Sequence, residues 1–189
     1  MTETPNPNIV DADSLTGDMH PIRRSVLSLG SNLGERRASL QGALDSLADT
    51  PDVWVTAVSP VYETEPVEAP SGSQNFYNAV VLVDTTLSAH TLLERCLAIE
   101  DAFGRERTGE RGAPRTLDID IIVIGDRRAD DERLSLPHPK AHERAFVLAP
   151  WHDVESDAEL LDHGLITVLL DKLGDEGVRR RDDVSLHLQ

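Results

Sequence analysis

The sequence predicts an α+β domain with a ferredoxin-like βαββαβ core, an antiparallel sheet whose flanking helices pack on one face. Stretches of period two and of period 3.6 succeed one another as β, α, β-β, α, β, with added pieces after the last strand. A length of 189 residues suits one domain that buries a core without staples. No internal repeat or low-complexity block interrupts the pattern.

Met1 to about Pro21 contains Pro5, Pro7 and the acids Glu3, Asp11, Asp13 and Asp18 with no Lys or Arg, so residues 1–21 are expected to form a disordered acidic tail. One domain is expected over 22–175. Ser25 to Leu29 alternates as a first strand ahead of Gly30-Ser31-Asn32. Asn32 is placed to cap the following helix, with Glu35 three residues on, and Leu40, Leu44 and Leu47 share its apolar face. Val53–Ser59 and Val61–Val67 read as two extended segments separated by a kink at Pro60.

Glu68–Gln74 is a loop by composition, and Asn75–Thr85 is the next strand, with Phe76, Asn78, Val80 and Leu82 on one face. A backbone-satisfied asparagine and a ligand contact fit Asn78 equally well. Ser88 opens a second helix reaching about Phe103, packed through Leu92, Leu93, Cys96, Ile99 and Phe103. Cys96 is the single cysteine, so no internal disulfide can form and core packing is its expected role. After a strand at Thr116–Ile124 come a polar turn, a helix from about His142 to Ala149 and a last helix within Asp157–Leu173. Arg179-Arg180-Arg181 is assigned to a charged C-terminal tail over 176–189.

The net charge of −16, from 18 basic and 34 acidic residues, opposes non-specific binding to nucleic acid or anionic membrane. No apolar run approaches a membrane span, and the N-terminus lacks the order of a signal peptide, so a cytoplasmic protein is expected. Any phosphate binding then falls to local basic loops.

One such loop stands out. Arg105, Arg107, Arg111 and Arg115 run directly into the strand that carries Asp118 and Asp120. Strand alternation puts both aspartates on one face, roughly 7 Å apart, within reach of one Mg²⁺ or a pair. Leu117, Ile119 and Ile121 fill the other face, while Ile122 and Ile124 continue the aspartate face as apolar residues, which sets the pair where a buried face meets a cleft. Two carboxylates there repel each other unless a cation or strong donors compensate. Arginine with metal is the usual means of stabilising phosphoryl transfer.

Other chemistries fit less well. Gly104 to Gly109 has the glycine spacing of a phosphate-cradling loop, but Glu110-Arg111 stands where Lys and Ser or Thr are needed. His138 and His142 are four apart, as zinc ligands on a helix can be, yet Pro139 opposes one helix through both. No serine sits in a nucleophile elbow, which leaves covalent acyl chemistry unsupported.

Five segments together resemble the 6-hydroxymethyl-7,8-dihydropterin pyrophosphokinase family of folate synthesis. They are LSLGSNLGER at Leu27–Arg36, YETEPV at Tyr62–Val67, FYNAVV at Phe76–Val81, APRTLDIDII at Ala113–Ile122 and LPHPKAHERAFVL at Leu136–Leu148. The resemblance implies transfer of the β,γ-diphosphate of ATP to a pterin hydroxymethyl group with release of AMP. It implies two Mg²⁺ ions held by Asp118 and Asp120, with Arg105 and Arg115 acting on the phosphates. Glu100, Arg107, Arg111, Arg115, Ile121, Arg133, Ser135, His138 and Arg144 match nucleotide-side positions. Asn78, Phe146, Phe76, Thr64, Pro66 and Val67 match the pterin pocket. Monomeric state is also what the resemblance suggests.

The chain departs from the family pattern at Gly112, where a tryptophan usually precedes Ala113-Pro114-Arg115, at Thr108, where a basic residue is frequent, and at Pro139, where some members carry tyrosine. Gly112 is expected to make the loop floppier and its closed state costlier. Two other classes compete: a non-catalytic ferredoxin-like module that binds a nucleotide or metabolite, and a polymerase-palm nucleotidyl transferase, which the acidic charge disfavours.

Overall fold

The computed structural model describes residues 20–66, 70–104, 116–175 and 177–189. Strand β1 (Arg23–Ser31) lies inside the sheet, between β4 (Phe76–Thr85) and β5 (Asp118–Ile124), and both neighbours run antiparallel to it. Strands β2 (Val53–Val58) and β3 (Val61–Thr64) pair end to end along β4. Pro60 can donate no amide at the junction, and Ser59 maintains the pairing there: its N–H donates to the Val80 carbonyl at 2.9 Å, and its Oγ accepts the Val80 amide at 2.8 Å.

Helices α1 (Arg36–Ala48) and α2 (Ala89–Ala102) cover one face of the sheet. Leu40, Leu44 and Leu47 from α1, with Leu92, Cys96 and Ile99 from α2, pack on Leu27, Leu29, Ala79, Val81, Val83, Ile119 and Ile121. Ser88 caps α2 by accepting the Thr91 amide, as its sequence position suggests. The cap foreseen for α1 does not form. Gly34 takes a left-handed turn at φ 69°, so the helix begins at Arg36 with Glu35 at its N-cap and no side-chain cap bond.

Every residue of β4 from Tyr77 to Val83 is buried, a pattern that requires cover on both faces. A second layer supplies it, in place of the one-sided arrangement expected. Helix α3 (Ala145–Val154) and helix α4 (Ile166–Leu173) set Val147, Leu148, Trp151 and Ile166 against Val26, Val80, Leu82 and Ile122. A short turn of 3₁₀ helix at Ala141–Glu143 precedes α3, so the helix foreseen from His142 begins later. Likewise the long helix foreseen from Asp157 is confined to α4, because a hairpin of β8 (Glu159–Leu160) and β9 (Gly164–Leu165) occupies its first part. A further two-stranded ribbon joins β6 (Ala129–Asp130) to β7 (Ser135–Leu136).

Two corrections bear on function. In the pairing of β1 with β5, Val26 faces Val123 while Leu27 faces Ile121, which leaves Ile122 as an extra residue in a β-bulge. The bulge shifts alternation by one, and Ile124 packs with the α1–α2 core instead of continuing the aspartate face. The second correction concerns Arg179–Arg181, assigned from charge to a tail. Val178–Arg181 is strand β10, paired antiparallel with β3, and beyond it Leu186 is buried in the α1–α2 core.

Candidate active site

On the face under α3, Val26, Val80, Leu82 and Ile122 carry the packing against the helix. Above Val80 and Ile122 the strands carry polar residues in register. Asp118 pairs with Gly30, Gly30 with Asn78, and Asn78 with Tyr62, so these four form one row on one face. In the next row Asp120 pairs with Ser28, and Phe76 with Thr64 begins the row on the other side.

Gly30 makes this surface concave. A Cβ at that position would stand 3.3 Å from Asn78 Oδ1 and 3.7 Å from the Phe76 ring. The missing side chain leaves a slot floored by backbone, bordered by Asn78 and Phe76 on one side and Asp118 on the other. The first strand, expected to end at Leu29, continues through Gly30 to Ser31, and glycine inside a strand signals close approach of another group.

Asn78 is 4% exposed, and its amide donates to Thr64 Oγ1 at 2.9 Å. One side of the amide is therefore fixed by the protein and the rest faces the slot. Phe76 and Phe146 are half-buried, Phe146 in the first turn of α3 with the Arg144 guanidinium 5.5 Å from its ring centre. Pro66 is half-buried at the loop that follows β3, while Val67 lies outside the described residues.

Asp118 and Asp120 are half-buried at the start of β5. Arg144 Nη1 lies 3.6 Å from Asp120 Oδ2. Glu100 is 1% exposed, and its Oε1 accepts the Ile119 amide at 2.8 Å, so it braces the strand between the two aspartates. Ile121, matched above to a nucleotide contact, points its side chain into the core of the opposite face, because alternation sets it out of phase with Asp120.

His138 is tied to the same strand through the bulge. Its amide donates to the Ile122 carbonyl at 2.8 Å, and its Nδ1 accepts the Lys140 amide at 3.2 Å. Burial, reinforced by the positive charge of Arg144, pushes the imidazole down to about 4, with Asp118 pulling the other way. His138 is thus neutral near pH 7, and with Nδ1 accepting, Nε2–H is its donor. Ser135 is half-buried in β7, but Arg133 is exposed and lies 3.5 Å from Glu94 of α2.

Arg105, Arg107, Arg111 and Arg115, together with Thr108 and Gly112, lie outside the described residues. Among the described residues no group of three or more His, Cys, Asp or Glu gathers as an all-protein metal cage. The His142 ring stacks on His163 with ring centres 4.1 Å apart. A carboxylate pair still suits Mg²⁺, which usually binds through one or two carboxylates and completes its shell with substrate phosphates and water. Cys96 is fully buried, and burial pushes its thiol up to about 12, so it is no nucleophile. Among the described residues no helix is long and apolar enough to cross a membrane.

Comparison with known proteins points to one family. A family model described as 7,8-dihydro-6-hydroxymethylpterin-pyrophosphokinase matches residues 26–156. A 2-amino-4-hydroxy-6-hydroxymethyldihydropteridine pyrophosphokinase of Methylorubrum extorquens is 42% identical over 159 residues, covering 84% of this chain and 99% of the relative. The protein of the same name from Mycobacterium leprae is 45% identical over 150 residues, covering 74% of this chain and 75% of the relative. Among solved structures, wild-type HPPK-DHPS of Plasmodium falciparum, crystallised with pterin and p-hydroxybenzoate, aligns with a TM-score of 0.64 at 15% identity. That alignment covers 89% of this chain and 48% of the longer protein, and it bears on the fold alone.

Proposed function

This chain belongs to the 7,8-dihydro-6-hydroxymethylpterin-pyrophosphokinase family, diphosphotransferases of folate biosynthesis, and from that premise we propose how its own residues carry the reaction. The pterin hydroxymethyl oxygen attacks the β-phosphorus of ATP. A bond forms between that oxygen and Pβ, the bond between Pβ and the oxygen bridging it to Pα breaks, and AMP leaves with that oxygen and the bonding electron pair while the hydroxyl proton passes to solvent. No protein nucleophile is required.

The observation that carries the reading is the single row Asp118, Gly30, Asn78 and Tyr62. It sets a slot for a flat ring beside a pair of carboxylates. In this reading the pterin lies over Gly30 between Phe76 and Phe146, with Thr64, Pro66 and Val67 as its wall and the free side of the Asn78 amide bonding its edge. A flat heterocycle needs such stacking surfaces together with fixed donors and acceptors.

Asp118 and Asp120 would hold two Mg²⁺ ions, which when bound neutralise the phosphates and orient the hydroxyl. Arg144, close to Asp120, and the neutral His138 with its Nε2–H donor face the phosphates. Arg105, Arg107, Arg111 and Arg115 are proposed to supply guanidinium donors to the phosphates. Ser135 and Arg133 form the outer nucleotide wall, and Glu100 acts by holding β5 in place. The enzyme is proposed to work as a cytoplasmic monomer with small-molecule substrates only, without nucleic acid or membrane.

Product analysis tests this. Purified protein with ATP, Mg²⁺ and 6-hydroxymethyl-7,8-dihydropterin should yield AMP and pterin diphosphate in equal amounts, and no ADP. Binding of ATP without AMP formation would favour the non-catalytic module instead, a reading that family membership does not favour.

A further inference from the structure

Strand β10 lies outside residues 26–156, the part of the chain that matches the family model. It nevertheless completes the sheet beside β3, the strand that bears Tyr62 and Thr64. On the face opposite Thr64 and Asn78, side chains from four elements converge. Glu63 of β3 accepts from Arg179 Nη2 at 2.9 Å and from Arg181 Nη1, both on β10. Glu63 also accepts from Asn75 Nδ2 at 3.2 Å. Tyr77 of β4 pairs in register with Glu63, and its ring lies 3.8 Å from the Arg36 guanidinium of α1 and 5.6 Å from that of Arg181. Arg36 Nη1 donates to the Asn75 carbonyl at 2.6 Å.

The end of β3 and the start of β4 meet in this cluster. Glu63 precedes Thr64 at the end of β3, and Asn75 precedes Phe76 at the start of β4. Thr64 in turn holds the Asn78 amide. The Glu63 side chain is only 13% exposed, and the hydrogen bond from Arg179, with those from Arg181 and Asn75, holds its carboxyl at about 2 despite the opposing effect of burial.

We propose that Arg181 and Glu63 form a positioning clasp for the pterin pocket. By joining β10 to β3 behind the pocket, the clasp fixes the end of β3 against the start of β4 and holds Thr64 against Asn78. Its effect is entropic: with Thr64 and Asn78 held in place, less freedom is left to lose when a ring docks beside them. No atom of the clasp is assigned to the substrate. The arrangement rests on the pterin reading above, and it reaches the reaction through substrate binding instead of through the phosphates.

The test uses the full-length protein with two variants, Arg181→Ala and Glu63→Gln, and Arg181→Lys as the conservative replacement. The wild type must first form AMP from ATP and pterin; its failure to do so would overturn the functional reading and not the clasp as such. With the wild type active, both variants should raise the pterin KM about tenfold, a loss of about 1.4 kcal/mol, and leave kcat and the ATP KM within about twofold. Arg181→Lys, which keeps the charge but not the forked geometry, should recover part of the loss. A pterin KM unchanged in both variants would overturn the clasp. So would a parallel fall in kcat and rise in both KM values with a lowered Tm, since that pattern marks general loosening.

Discussion

The Asn78 side-chain amide donates to Thr64 Oγ1 at 2.9 Å, joining β4 to β3 inside the slot that Gly30 opens. Asn78 is almost fully buried, so its amide depends on this partner when no ligand is present. Thr64→Val keeps the volume and removes the acceptor. It should cost about 1–3 kcal/mol of stability, read from chemical denaturation, and weaken pterin binding while the ATP KM stays near its wild-type value.

Gly30→Ala places a methyl group 3.3 Å from Asn78 Oδ1, in the floor of the slot. Gly30 is in extended strand backbone, so the cost is steric and not conformational. Pterin affinity should fall by about tenfold or more, measured by titration calorimetry, with little change in ATP binding. An unaltered pterin affinity would remove the slot from the reading.

Asp118→Asn and Asp120→Asn each withdraw one negative charge without changing volume. Turnover should fall by at least about a hundredfold with the circular dichroism spectrum and Tm near those of the wild type. Asp120→Asn additionally releases Arg144, which lies 3.6 Å away, so this variant should show the weaker Mg²⁺ dependence of ATP binding. Full activity in either would refute the metal assignment.

Acid should weaken the fold in two windows. His138 has its folded-state pKa depressed from 6.5 to about 4. Between these values the unfolded chain binds a proton that the folded chain refuses, so stability falls as pH drops from 6.5 towards 4. Glu63, held at about 2 against an ordinary 4.5, contributes stability above 4.5 that is lost as pH falls towards 2. Urea titrations across pH 7 to 3 check this. His138→Gln should flatten the upper window and Glu63→Gln the lower one.

Local pattern made much of this visible in advance. Leu40, Leu44 and Leu47 recur at helical spacing and do form the buried face of α1, as Leu92, Cys96 and Ile99 do for α2. Asp118 and Asp120 share a face because alternation holds over the first residues of β5. The same rule failed beyond Ile121. A bulge adds a residue to one strand against a partner far away in sequence, and nothing in the run of isoleucines marks it. The α1 cap was misplaced for a related reason: Asn32 has the right chemistry, but the turn at Gly34 starts the helix further on.

The sequence by itself determined the order of the core elements, the packing stripes of the helices, the carboxylate pair and, through five motifs, the family. These depend on neighbours a few residues apart, where spacing fixes geometry. Only the tertiary structure decided that α3 and α4 cover the second face, that Gly30 opens a slot between Asp118 and Asn78, and that β10 braces β3 through Arg181 and Glu63. Each of these joins segments remote in the chain, and Arg181 looks like solvated charge until a partner 118 residues away is placed beside it.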